Sequence, residues 1–220
     1  MNNVIEKEMN LCFDEKTLGF TFQKGAGTIW KWQKDYKPYM ECGNGAVYFC
    51  DAQEITHERF FSGVGEGILS TYSGFKKEGK TVPYKFQTLV WTESATGEVY
   101  CEWIPLVEEG LEVKKVFWPG PMEFEEKRED WYTLLTNRQG MLIPNTWEVE
   151  LKTPCFDGFF GTAGAYMPWF AQVKEREGYL AVCVTPWNAG YQAGHPAGGP
   201  YTSVGVRFEP SLGKWITAVL

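Results

Sequence analysis

The sequence has few of the residues on which metal, nucleophile and phosphate sites are built. Only two histidines, His57 and His195, occur in 220 residues, whereas a catalytic zinc site commonly takes three protein ligands that are rich in histidine. There is no Gly-x-Ser-x-Gly elbow for a serine nucleophile, and no two of the six cysteines stand in Cys-x-x-Cys spacing. The glycine-rich run at 63–67 lacks the strand, helix and downstream acid of a phosphate loop, which predicts a turn between strands. We therefore expect no metal, no cofactor, and reduced, mostly buried cysteines.

Positive charge and long apolar runs are also scarce. With 21 basic and 28 acidic residues the net charge is −7, so the chain has no overall basic field to attract phosphate backbones. The longest apolar run covers residues 179–184, far short of the roughly 18 residues that a membrane helix needs. The first residues lack the apolar core of a secretory signal. We expect a cytoplasmic protein with neither nucleic acid nor membrane as a partner.

What the chain does contain is aromatic and turn-forming residues. It has 10 Trp, 11 Tyr, 15 Phe, 24 Gly and 12 Pro, and its apolar residues alternate over short segments that Gly, Pro or charged turns interrupt, as in an all-β protein. The predicted strands are 18–22, 28–32, 46–50, 68–72, 85–91, 98–103, 111–118, 131–135, 141–143, 147–151, 179–185, 203–208 and 215–220. Because open sheets rarely exceed about ten strands, the sequence predicts one domain over residues 1–220, a large antiparallel two-sheet β-sandwich.

The clearest local prediction is a hairpin whose arms are 85–91 and 98–103. In the second arm Val99, Cys101 and Trp103 alternate with polar neighbours, so these three side chains are expected to face the core. Tyr100 and Glu102 then lie on the opposite face, which meets solvent or a ligand.

Two carboxylates stand out among the acidic residues because aromatic side chains flank them. Glu102 lies between Tyr100 and Trp103, and Asp157 follows Phe156. Aromatic surroundings can raise a carboxyl pKa by desolvation, and glycoside hydrolysis uses a pair of carboxylates. Spacing along the chain does not decide whether these two meet, so solvent-facing positions are the alternative.

The densest group of unusual residues lies near the C-terminus. Residues 186–202 are too rich in Gly and Pro for a strand or helix, yet they hold Trp187, Asn188, His195 and Tyr201, and Trp169 lies shortly before them. An ordered loop of this kind can stack rings on sugars while Asn and His donate or accept hydrogen bonds. The alternative is a loop whose rings fill its own underside. We expect packing for Trp187 and leave Tyr201 open.

Several short motifs resemble the N-terminal region of large bacterial glycoside hydrolase-like proteins. They are FWPGPMEF at 117–124, QGMLIPN at 139–145, YMPW at 166–169, HPAGGPYT at 195–202 and PSLGK at 210–214. The resemblance implies a galactose-mutarotase-like β-supersandwich, related to the one that precedes the barrel in endo-α-N-acetylgalactosaminidase-like enzymes. Where the family pattern has Asp after Thr-Pro-Trp, this chain has Asn188, which removes a charge.

What the resemblance implies for function is largely a supporting role. In such enzymes the catalytic carboxylates lie on a barrel that follows the sandwich, so no catalytic residue is carried over, and the expected partners are carbohydrate and either that absent barrel or a second copy of this chain. One alternative is a free-standing carbohydrate-binding protein. Another is a sugar epimerase or mutarotase that acts through Glu102, Asp157 or His195.

Overall fold

The fold was analysed in a computed structural model that describes residues 9–24, 27–147, 156–160, 165–175, 177–194, 202–210 and 216–219. The strands are β1 (Met9–Asp14), β2 (Gly19–Lys24), β3 (Gly27–Lys31), β4 (Tyr39–Cys42), β5 (Gly45–Tyr48), β6 (Glu54–Phe61), β7 (Gly65–Ser73), β8 (Lys76–Lys77), β9 (Lys80–Thr81), β10 (Lys85–Glu93), β11 (Val99–Val107), β12 (Val113–Phe117), β13 (Trp131–Asn137), β14 (Met141–Pro144), β15 (Phe156–Phe159), β16 (Ala165–Lys174), β17 (Glu177–Cys183), β18 (Ala189–Gly194), β19 (Ser203–Phe208) and β20 (Ile216–Val219). Two 3₁₀ turns, Phe49–Asp51 and Pro186–Asn188, complete the regular structure of these ranges. No helix in the described ranges is long and apolar enough to cross a membrane.

Within the described ranges the strands form four sheets, which confirms the all-β prediction. A nine-stranded sheet has the order β14-β13-β16-β17-β20-β11-β10-β7-β6, and a six-stranded sheet has the order β15-β18-β19-β12-β4-β5. Strands β1–β3 form a third sheet, and β8 pairs with β9 in a fourth. The predicted number of two sheets is wrong. Among the described strands, β1–β3 pair only with one another, and so do the very short strands β8 and β9, so each set is a separate sheet.

One hydrophobic core joins the three larger sheets. Phe170 on β16 and Tyr191 on β18 have ring centroids 6.4 Å apart, and the hydroxyl of Tyr84 donates to the Met40 sulfur on β4 at 3.5 Å. Trp30 on β3 lies edge-on to Tyr179 on β17, with 4.8 Å between centroids. All these side chains except Tyr179, which packs against them, are buried members of a single cluster. Eighteen of the 36 aromatic residues are buried in the described ranges, so the core accounts for at least half of the aromatic content.

The predicted hairpin is confirmed, and both arms extend further than predicted. Strands β10 and β11 pair antiparallel, with Trp91 opposite Tyr100 and Leu89 opposite Glu102. The alternating side chains at 99, 101 and 103 are buried in the core, as the sequence predicts. The other face of this hairpin therefore looks away from the core.

The prediction of an irregular loop over 186–202 is wrong in its first half. A 3₁₀ turn covers Pro186–Asn188, and β18 (Ala189–Gly194) pairs with both β15 and β19 inside the six-stranded sheet. Glycine and alanine are tolerated in this strand because it is packed, with Ala189 and Ala193 buried. Residues 195–201 lie outside the described residues, as do residues 148–151 of the strand predicted at 147–151.

The cysteine prediction is confirmed where the structure describes the residues. Cys42, Cys101 and Cys183 are buried and unpaired, and Cys12 and Cys50 are exposed and unpaired. Burial raises the pKa of Cys183 to about 12, which keeps this thiol protonated at neutral pH. The buried thiols therefore act as small apolar core side chains.

Candidate functional site

The outer face of the nine-stranded sheet, turned away from the core, carries two of the predicted site residues, Trp169 and Glu102, well apart from each other. Trp169 on β16 is opposite Val182 on β17, and both Val182 and Tyr100 of β11 pair with Val219 of β20. Because directly opposed residues of antiparallel strands share a face, Trp169 and Tyr100 lie on this outer face in one cross-strand row. Strands β16 and β11 are three strand spacings apart, roughly 14 Å. Glu102 follows on the same face, two residues along β11 from Tyr100.

Glu102 is held in place by an aromatic pair. It is buried, and its carboxylate accepts a hydrogen bond from Trp91 Nε1 at 2.8 Å. The Trp91 ring stacks on Tyr100 with 4.6 Å between centroids and 15° between planes, and Phe60 of β6 approaches it at 6.1 Å. This group, Glu102 with the rings of Trp91, Tyr100 and Phe60, is a rigid aromatic surface with one oriented carboxylate.

The glycine-rich run at 63–67 makes room for that surface. A Cβ atom at Gly65 would lie 2.7 Å from Trp91 Cε3, and one at Gly67 would lie 2.6 Å from Trp91 Cβ. The Trp91 side chain therefore lies directly over the backbone of β7. The predicted turn at 63–67 is confirmed for residues 63 and 64, whereas Gly65 and Gly67 belong to a strand, and their small size serves packing.

Asp157 lies elsewhere in the fold. Its backbone belongs to β15, an edge strand of the six-stranded sheet, where it is opposite Gln192. Glu102 is on β11, so the two acidic residues that the sequence singles out belong to strands of different sheets. Their pairing as acid and base stays a hypothesis.

Trp187 and Asn188 sit on the 3₁₀ turn that leads into β18. The Trp187 side chain is 68% exposed, so the expectation that this ring packs under its loop is wrong. Asn188 is buried, and its Nδ2 donates to the Glu209 carbonyl at 3.0 Å while the Glu209 N–H donates to the Asn188 carbonyl at 2.8 Å. These bonds fix the turn and leave the Trp187 ring at the surface. His195 and Tyr201 lie outside the described residues.

The position of exposed apolar surface on the outer face was not predicted from the sequence. Leu180 and Val184 are 50% and 51% exposed, whereas Ala181 and Cys183, which alternate with them, are buried in the core. Met167 and Leu142 add further exposed apolar surface on neighbouring strands. The signal was present in the run at 179–184, which is apolar at every position and is therefore typical of a strand covered on both faces.

Comparisons with known proteins connect the chain to a glycoside hydrolase of known structure. No protein-family profile matches it, and no curated protein does either. It is similar to solved structures of NagBb, an α-N-acetylgalactosaminidase from Bifidobacterium bifidum. With the GalNAc complex the chain shares 41% identity over 95% of its length, at a TM-score of 0.83. With a quadruple mutant it shares 40% identity over 100% of its length, at a TM-score of 0.85.

The similarity covers only part of the enzyme. The chain corresponds to 34% and 35% of those two NagBb chains. It therefore matches about one third of a glycoside hydrolase, which confirms the resemblance to glycoside hydrolase-like proteins at that level.

Proposed function

We propose that this chain is a non-catalytic β domain of a glycoside hydrolase-like protein and that it supports the catalytic part of that protein. The observation that carries the proposal is 40–41% identity, over nearly the whole chain, with one third of an α-N-acetylgalactosaminidase. The galactose-mutarotase-like character of the fold belongs to this proposal and rests on the sequence resemblance. The catalytic carboxylates then lie in the remaining two thirds of such a protein.

The outer face of the nine-stranded sheet is the surface through which we expect the domain to contact the catalytic part. Leu180, Val184 and Met167 give it a contiguous exposed apolar area, and such areas on soluble domains mark interaction surfaces. The aromatic surface formed by Trp91 and Tyr100 continues along the same face. A partner that covers this face would bury both the exposed apolar side chains and the aromatic surface.

A second candidate function is direct contact with a glycan. Its support is the Trp187 ring, which is large, 68% exposed and held on a turn whose backbone is fixed. Exposed aromatic faces with neighbouring polar groups suit sugar rings, which present apolar C–H faces and hydroxyls. This contact and the supporting role are compatible in one domain.

Absence of hydrolysis by the chain alone tests the non-catalytic role. We expect no turnover of 4-nitrophenyl α-N-acetylgalactosaminide above buffer, with NagBb as the positive control. Turnover that disappears in Glu102→Gln or Asp157→Asn would contradict the proposal and favour the enzymatic alternatives.

Self-association tests the docking face. We expect the isolated chain to form concentration-dependent oligomers in sedimentation velocity, because its exposed apolar face has no partner. Leu180→Glu should shift the profile toward monomer. The matched control is Val64→Glu, which changes a residue that is 57% exposed on the β6–β7 turn. A strictly monomeric profile at high concentration, or equal effects of both variants, would count against this face.

A further inference from the structure

A cleft lies away from the outer face, between the β1–β2 turn and the segment that follows β3. Its volume is about 550 Å³, and its walls come from Asp14 and residues 16–21 and 31–38, with Cys50 and Glu123 completing the rim. Volumes of roughly 300–1,000 Å³ are typical of small-molecule sites. The cleft is therefore large enough for a ligand the size of one or two sugar rings.

The floor of the cleft is aromatic and rigid. Trp32 and Tyr36 lie edge to face with 5.7 Å between their centroids. Glycines confine the Trp32 ring on two sides, since a Cβ atom would lie 2.7 Å from Trp32 Cγ at Gly19 and 2.6 Å from Trp32 Cζ2 at Gly120. The Tyr36 hydroxyl donates to the Phe117 carbonyl at 3.3 Å. The floor is thus formed before any ligand arrives, which lowers the entropy lost on binding.

One polar group in the wall has no partner in the described part of the chain. The Gln33 Oε1 atom is buried and accepts no hydrogen bond there, while the Gln33 backbone N–H donates to the Pro121 carbonyl at 2.9 Å. A buried acceptor without a donor is unfavourable, because it has given up its hydrogen bond to water. Gln33 lines the cleft, so a rotation of its side-chain amide toward the cleft would let a ligand hydroxyl or amide donate to Oε1 and remove that penalty.

The carboxylates of the cleft are largely engaged within the protein. Asp14 accepts hydrogen bonds from the Lys16 backbone N–H at 2.9 Å and from Thr17 Oγ1 at 3.0 Å, and these bonds lower its pKa. Glu123 accepts from the Lys34 backbone N–H at 2.8 Å and faces Lys31 Nζ at 3.9 Å. Asp14 and Glu123 are therefore already partly satisfied by hydrogen bonds and an ion pair within the protein.

The lysines of the cleft are less engaged. Lys16, Lys34 and Lys37 line it, and within the described ranges none of their ammonium groups forms an ion pair. Together with Lys31 they exceed the three carboxylates, Asp14, Asp35 and Glu123, that line the same cleft. This local positive excess occurs on a chain whose net charge is −7, which favours an anionic ligand at this place.

We propose that this cleft binds a small anionic sugar, with its carboxylate or sulfate on the lysines, a hydroxyl on Gln33 and its apolar face toward Trp32 and Tyr36. The proposal does not depend on the role of the outer face, because the two surfaces share no described residue. A uronic acid and a sulfated monosaccharide offer the same recognition chemistry. The experiment separates these two sources.

Calorimetric titration with glucuronic acid, galactose 6-sulfate and neutral galactose tests the proposal on the purified chain. We expect at least one anionic sugar to bind about tenfold or more tightly than galactose, and we expect binding to weaken as salt is raised. The anion that binds more tightly shows whether the cleft recognises a sugar carboxylate or a sugar sulfate. Absence of binding by both anions, or equal binding of galactose, would overturn the proposal.

Variants connect the binding to the cleft. Lys16→Gln and Lys34→Gln should each weaken binding about fivefold, the size expected for one partly exposed charge contact. Both side chains are exposed, so the fold should be retained, and thermal unfolding checks this. The matched control is Lys80→Gln on β9, outside the cleft, which should leave affinity unchanged. Equal effects of Lys80→Gln and Lys34→Gln would overturn the assignment to this cleft.

Discussion

Replacement of Trp187 by alanine separates surface contact from packing at the turn that leads into β18. The side chain is 68% exposed, so about one third of it is removed from water. A tryptophan side chain buries roughly 150 to 250 Å² when fully enclosed, which leaves about 80 Å² at this position. At about 25 cal/mol per Å² the apolar stabilisation is at most about 2 kcal/mol.

A buried tryptophan provides the comparison. Trp103 is 1% exposed in the core, and large-to-small changes at such sites lower stability by about 3 to 5 kcal/mol. Urea unfolding of Trp187→Ala and Trp103→Ala, followed by far-ultraviolet circular dichroism, gives both free energies on one scale. We expect Trp187→Ala to retain its native signal with the smaller loss.

Glycan binding is the second half of this measurement. On a glycan array, retained stability with lost binding in Trp187→Ala would assign the ring to ligand contact, and Trp187→Phe should keep part of the signal because an aromatic face remains. A stability loss for Trp187→Ala as large as that for Trp103→Ala would refute the reasoning from exposure. It would mean that the ring packs against the protein after all.

Two further predictions concern the packing that supports the sheets. Gly67→Ala should lower the melting temperature, because its Cβ would clash with the Val90 carbonyl oxygen. A Cβ at Gly63 meets nothing within 4 Å, so Gly63→Ala should have little effect in the same thermal scan. Burial raises the pKa of Tyr84 above its usual value of 10, so the unfolded chain loses this proton first and stability falls as pH rises above about 10. Above pH 10, Tyr84→Phe should reduce the decrease in unfolding free energy by about 1.4 kcal/mol per pH unit. Urea unfolding from pH 8 to 11 measures this, and an unchanged dependence of the free energy on pH would contradict the burial of the hydroxyl.

Local patterns in the sequence predict the strands whose side chains alternate. The hairpin of β10 and β11 and the bounds of β19 (Ser203–Phe208) follow from period-2 alternation alone. Strand β18 was not predicted because glycine and alanine have low strand propensity. Its burial in the six-stranded sheet stabilises the strand despite that low propensity. The order of strands in the sheets was not predicted either. Strand β20 inserts between β17 and β11, and no local pattern indicates which strands a terminal segment will join.

The candidate sites depend on this long-range order, which is why sequence reasoning found their residues only in part. Glu102 and Trp169 were identified one by one, but β20 places them on one face. The cleft was missed because its walls come from separate parts of the chain, mainly 16–21 and 31–38, together with Glu123. Its lysines look like ordinary surface charge until the fold places them around Trp32.

The chemistry of the two surfaces argues for two different kinds of partner. The outer face combines exposed Leu180 and Val184 with a carboxylate, Glu102, that an indole N–H already binds. Binding at this face would therefore come mainly from burial of apolar surface, which suits a partner with a large apolar surface of its own. The cleft has the opposite balance, because a confined Trp32 floor lies below lysines and a buried amide oxygen of Gln33 that accepts nothing in the described chain. Salt should therefore weaken ligand binding in the cleft and leave association through the outer face unchanged or stronger.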